Sequence, residues 1–140
     1  MKYAVNCSIM FTELPLLKRS AAARAAGFEG VEFWWPFETS VPDDDEVAAF
    51  VNAVRQAGVQ LVGLNFFGGN GAGDRGLVSL PEQRDQFRAN VPVVARIGRD
   101  LNCPAFNAAY GNWRTDLLPQ QQDKGSRRTV PPNSPTVCAA

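Results

Sequence analysis

The chain of 140 residues contains no histidine. Without an imidazole it cannot assemble a Ser-His-Asp or Cys-His nucleophilic centre, and a histidine-ligated metal site is excluded as well. Acid–base chemistry within the chain would fall to Asp, Glu, Lys, Tyr or Cys. An excess of charge is also missing: 14 basic side chains balance 14 acidic ones, for a formal net charge of zero. That balance gives no electrostatic footprint for nucleic acid or for an anionic membrane. No apolar run approaches the roughly 20 residues that span a bilayer. Met1-Lys2-Tyr3-Ala4-Val5-Asn6 turns polar too early for a signal peptide, so the expected compartment is the cytoplasm. Cysteine is sparse. Cys7, Cys103 and Cys138 are too few and too scattered for a disulfide framework or a CxxC metal site. Cys7 and Cys103 lie in apolar runs that predict buried thiols.

Hydrophobic residues make up 45% of the chain, enough for one domain with a core. Their spacing alternates between two periods. Residues 3–8 read as a short strand. Thr12 offers an N-cap and Pro15 a first helical turn, with Leu14, Leu17, Ala21 and Ala25 as one apolar face and Gly27 as the stop. Gly30 to Trp34 reads as a second strand. Pro42 and the acidic run Asp43-Asp44-Asp45-Glu46 open a second helix, where negative charge suits the positive end of the helix dipole. Its buried stripe is Val47, Phe50, Val51, Val54 and Ala57, and Gly58 ends it. Val59 to Phe66 is nearly apolar throughout, as in a strand covered on both faces. Ser79 and Glu82 could form a capping box before a third helix carrying Phe87, Val91, Val94 and Leu101, which Pro92 should kink or interrupt. Pro104 to Ala109 is the fourth strand. This β-α-β-α-β-α-β order predicts an α/β fold with a parallel sheet, and both a doubly wound sheet and a barrel satisfy it.

Candidate site residues gather at strand ends. Glu32 sits inside an apolar strand, where a carboxylate must be either paired or at a wet site, so it reads equally as an ion-pair partner or a pocket residue. Asn65 ends the third strand in the same way, as do Asn6 and Ser8 in the first and Asn107 in the fourth. Phe11, Trp34, Trp35, Phe37, Phe66 and Phe67 follow strand ends, and either wall a pocket or pack the loops. The loop Gly68 to Gly76 contains a literal G-x-G-x-x-G at Gly71, Gly73 and Gly76. It follows the third strand rather than the first and has no acidic partner about 20 residues on, so it reads as a loop over a pocket, not a dinucleotide fingerprint.

Several segments together resemble the hydroxypyruvate isomerase family: Asn6 to Glu13, Ala22 to Phe33, Trp35-Pro36, Leu64-Asn65, Gly73 to Leu77, and Leu101-Asn102-Cys103. The resemblance runs from the N-terminus to about Gln122. It implies a xylose isomerase-like TIM barrel, here a partial one of about four βα units, and a reaction that interconverts hydroxypyruvate and tartronate semialdehyde by proton transfer through an enediolate. It places the acid and base glutamates, and the ligands of any divalent metal, in the later half of the barrel. No catalytic residue and no cofactor is therefore assigned within this chain. Glu32, Asn65, Asp74 and Arg75 are its substrate-binding candidates.

The expected organisation is a half-barrel over residues 1–112 and an irregular or disordered tail over 113–140. From about Lys124 the Arg/Pro/Ser-rich text leaves the family pattern, as a frameshift would produce. The partner class is a small hydroxy or keto acid or a sugar. Open sheet edges predict self-association and no turnover by the chain alone. A compact sugar-acid binding module without catalysis is the alternative, and a pseudo-barrel dimer a third reading.

Overall fold

A computed structural model describes residues 3–71 and 73–129. Four strands form one parallel sheet in the order β1-β2-β3-β4: β1 Ala4–Asn6, β2 Gly30–Phe33, β3 Gln60–Asn65 and β4 Phe106–Asn107. Between them run α1 Leu16–Ala25, α2 Asp44–Ala57 and α3 Arg84–Leu101, the last preceded by a 3₁₀ turn at Pro81–Gln83. The strand order never reverses. A doubly wound sheet must reverse it at a switch point, so the winding is that of a barrel wall.

One core explains why the layers adhere. Val5, Val31, Phe33, Leu61 and Leu64 of the sheet bury themselves against Ala23, Val47, Phe50, Val54, Val94 and Ile97 of the helices. Phe33 meets Phe50 edge to face, with ring centroids 5.1 Å apart, the geometry that aromatic quadrupoles favour. Four of the five residues predicted for the α2 stripe, Val47, Phe50, Val51 and Val54, are buried, and Ala57 at the last turn is half-buried. Asp43 caps that helix in a capping box with Glu46, whose carboxylate accepts the Asp43 N–H at 3.1 Å. Gly58 stops it at φ 66°, a left-handed conformation that only glycine adopts without penalty. Cys7 and Cys103 are buried free thiols, and burial raises both pKa values. Cys138 lies outside the described residues.

Four expectations are corrected. First, α1 begins at Leu16 with no side-chain cap, and its inward face is Leu16, Ser20 and Ala23 rather than Leu17, Ala21 and Ala25. Thr12 is displaced from capping by a turn in which Phe11 adopts φ 61°. There the Arg19 guanidinium donates to the carbonyls of Leu14 (3.0 Å) and Cys7 (3.2 Å). Second, α3 runs uninterrupted through Pro92, which lies on the exposed side of the helix. Third, Ser79 and Glu82 form no capping box, because Ser79 Oγ accepts from Gln122 and Glu82 pairs with Arg114. Fourth, the tail expected to be irregular from residue 113 contains helix α4 at Pro119–Thr129. It starts with proline in its first turn, and Gln121 Oε1 reaches back to accept the Leu118 N–H at 3.0 Å. Residues 130–140 lie outside the described residues. Among the described residues, no helix is long and apolar enough to cross a membrane.

Candidate functional site

Alternation along each strand sorts the strand-end residues by face. Val5, Val31, Phe33, Leu64 and Phe106 point into the helix-side core. Their neighbours Asn6, Glu32, Asn65 and Asn107, all half-buried, therefore face the opposite, inner side of the sheet. These are the C-terminal ends of parallel strands, the edge where barrels carry their chemistry.

A cavity of about 740 Å³ opens there. Asn65 forms its floor, while Asp74, Arg75 and the backbone from Gly68 to Asn70 form one side. Trp34, Trp35, Phe37, Phe66 and Phe67 wall it. Most of these aromatics serve packing as well. Phe37 contacts Trp35 and Phe50, and Phe66 lies 5.2 Å from Phe87. Phe11 packs against the core instead and is not on the cavity. A second cavity of about 600 Å³ lies at the opposite ends of the strands, lined by Tyr3, Arg24, Gly30 and Gln60. In barrels that end carries stability rather than chemistry.

Three of the four sequence candidates thus come together, and each is presented differently. Asn65 is half-buried with its amide on the cavity. Asp74 is committed to the loop, since its carboxylate accepts the Gly71 N–H at 2.8 Å and presses against Gly69. Arg75 is exposed, and its guanidinium enters no salt bridge or side-chain hydrogen bond among the described residues. Glu32 stands apart. It does not line the cavity, and its stem lies over Gly63, whose position in β3 a side chain would crowd to 3.1 Å. Glu32 forms no ion pair among the described residues. Asn6 Oδ1 accepts the Ser8 N–H, and Ser8 Oγ accepts the Trp34 N–H, both at 2.9 Å. These two tie the first and second loops together. Asn107 Oδ1 is buried with no hydrogen-bond partner.

Two buried amides that shape the site escaped the sequence reading. Asn90 of α3 is fully buried; its Oδ1 accepts the Phe67 N–H at 3.0 Å and its Nδ2 donates to the Ser40 carbonyl at 2.7 Å. It joins the loops after β2 and β3, which are the two walls of the cavity. The signal was a polar residue three positions after Phe87 and four before Val94, on a stripe otherwise apolar. Gln122 of α4 is equally buried and donates to Ser79 Oγ (2.7 Å) and the Asn112 carbonyl (2.8 Å). Among the described residues, no three His, Cys, Asp or Glu side chains converge to hold a metal ion, so the donor set present here does not fit a divalent metal.

A singly wound parallel sheet with its cavity at the strand C-termini defines one side of a βα-barrel. The sequence model of the family described as xylose isomerase-like TIM barrel matches residues 20–130, and the chain belongs to that family. A Streptomyces coelicolor protein named "Putative hydroxypyruvate isomerase" is 50% identical over 126 residues, covering 88% of this chain and 45% of the relative. A 2-oxo-tetronate isomerase of Pectobacterium atrosepticum is 33% identical over 124 residues, covering 88% and 43%. The crystal structure of AP endonuclease, family 2 from Brucella melitensis superposes with a TM-score of 0.76 at 28% identity, over 91% of this chain and 47% of that one. The chain therefore spans just under half the length of the curated relatives it matches.

Proposed function

We propose that the chain is the substrate-holding part of a hydroxypyruvate isomerase-type enzyme, interconverting hydroxypyruvate and tartronate semialdehyde, and that alone it binds without turnover. The observation that carries this is Arg75: a guanidinium with no side-chain partner among the described residues, lining the same aromatic-walled cavity as Asn65 at the strand C-termini. A guanidinium without a protein partner is suited to bidentate capture of a carboxylate. An amide such as that of Asn65 can donate to a carbonyl or accept from a hydroxyl. The relatives' names point to the same substrate chemistry, because hydroxypyruvate and 2-oxo-tetronate are both small 2-oxo acids. Isomerisation removes a proton from one carbon and returns one to its neighbour through an enediolate, so it needs an acid–base pair beside the bound acid. Asp74 is engaged by the loop and Glu32 is off the cavity, so neither is assigned that task.

Thermal shift with hydroxypyruvate, paired with an isomerase assay, tests this reading. The expected result is stabilisation without turnover, abolished by Arg75→Ala, with turnover appearing once the carboxy-terminal part of the S. coelicolor relative is added. Turnover by the chain alone would refute the binding-only claim. Binding that never becomes turnover on complementation would favour a sugar-acid binding module.

A further inference from the structure

The loop that carries Asp74 and Arg75 is gripped from outside itself. Within the loop, two backbone bonds act: Asp74 N–H to the Gly71 carbonyl and Gly76 N–H to the Gly68 carbonyl, both 3.0 Å. The remaining anchors come from the segment after β4. Asn112 Nδ2 donates to the Gly73 carbonyl at 2.8 Å, and the Gly111 N–H donates to the Arg75 carbonyl at 3.0 Å. The Ser79 N–H donates to the Tyr110 carbonyl at 2.7 Å, and Gly76 forms an antiparallel bridge with Tyr110. Approach is so close that a Cβ on Gly76 would lie 2.0 Å from the Ala109 carbonyl oxygen. That segment is fixed in turn by Gln122, which holds the Asn112 carbonyl and Ser79 Oγ and accepts the Arg114 N–H at 3.2 Å. Arg114 adds ion pairs to Glu82 and Asp116.

We propose that residues 110–122 form a clasp that positions Arg75 on the cavity, with Asn112 as the positioning residue. This rests on the reading of Arg75 as the carboxylate-binding group. The chain path of the glycine loop has few constraints of its own, since five of the nine residues from Gly68 to Gly76 are glycine. Bonds to Gly73 and Arg75 bracket Asp74 from both sides and fix the direction in which the Arg75 side chain leaves the backbone. The carbonyl grips are single hydrogen bonds at an exposed position, so their removal should loosen the loop without unfolding the domain.

Asn112→Asp keeps the shape of the side chain and removes the donor, and Asn112→Ala removes both functions. Two quantities are read on the full chain: amide hydrogen exchange at Gly73 to Gly76, and the affinity for hydroxypyruvate followed at the Arg75 Nε–H resonance. Both variants should exchange about tenfold faster at these amides and bind about five- to tenfold more weakly, the ratio that one hydrogen bond corresponds to. Wild-type exchange in both variants would overturn the clasp. Faster exchange with unchanged affinity would overturn its positioning role. If Arg75→Ala itself leaves hydroxypyruvate affinity unchanged, the proposed function is at fault, and the clasp stands or falls on the exchange data alone.

Discussion

Replacing Asn90 with alanine should remove the strut between the two cavity walls and destabilise the fold by about 2–4 kcal/mol. The figure comes from the two bonds taken separately. The Phe67 N–H is buried and would be left without an acceptor, which costs about 1–3 kcal/mol. The Ser40 carbonyl is only part-buried, so water replaces the lost amide there, and the loss is nearer 1 kcal/mol. For a chain of this size that corresponds to a fall in Tm of very roughly 6–12 °C. Urea unfolding followed by circular dichroism reads the change as a shifted midpoint at constant slope.

Asn90→Asp separates the two roles. An introduced carboxylate still accepts from Phe67 but faces the Ser40 carbonyl with no proton to donate. Protonated, it can donate again. Burial therefore raises its folded-state pKa above the unfolded value. The linkage sign follows: the variant's stability is fully present at low pH and is lost as pH rises through the folded pKa. Relative to the parent chain, Asn90→Asp should be close to normal in acid and clearly weaker at neutral pH. A loss below about 0.5 kcal/mol in Asn90→Ala, within the range of ordinary surface changes, would refute the strut. So would a pH-independent Asn90→Asp.

The docking of α4 should fail in alkali. Tyr110 donates to Asp123, and burial first, then that hydrogen bond and the Asp123 charge, push its pKa up to about 12 from a usual 10. Stability from this group is thus fully present below pH 10 and lost as pH rises towards 12, so Tyr110→Phe should remove an alkaline step from the circular dichroism titration; an unchanged step would refute it. The chain should also self-associate at micromolar concentration, and a monomer by sedimentation velocity would count against that.

What the sequence disclosed depended on whether a signal was local. Gly58, the capping residues Asp43 and Glu46, and the α2 stripe act through nearest neighbours, and each is where its spacing predicts. Asn65 was legible as a polar residue ending a strand, whereas Arg75 was named only through the family resemblance. The face of α1 was not, because alanines on every side of the helix leave its rotation to tertiary contacts. Glu32 stood out correctly as a carboxylate in an apolar strand. Its setting depends on a register shift in the β2–β3 pairing between Val31 and Glu32, which brings it opposite Gly63. Nothing in the sequence marks that shift. Helix α4 was missed because it docks by polar contacts: Gln122, Tyr110 and Arg114 do what an apolar stripe does elsewhere.

The same division bears on which surface drives association. The inner face of the sheet presents Asn6, Glu32, Asn65 and Asn107 at its strand ends, and polar groups lose little by staying in water. The large apolar residues Val5, Val31, Phe33, Leu61 and Leu64 of the sheet are already buried on the helix side. The edges differ. Among the described residues β1 and β4 each have one strand neighbour, and a sheet edge of that kind exposes backbone donors and acceptors. Tyr3, Ile9 and Met10 flank β1 at 63%, 58% and 50% exposure, while Trp113 and Leu118 follow β4 at 66% and 64%. Both edges are short, at three and two residues, so hydrogen bonding alone gives little and the flanking apolar groups must supply the rest. A lysine at Ile9 or Met10 should accordingly move the population towards monomer, whereas Glu32→Gln should leave it unchanged. The opposite pattern would place the contact on the inner face, over the cavity, and would then predict that hydroxypyruvate binding and assembly compete.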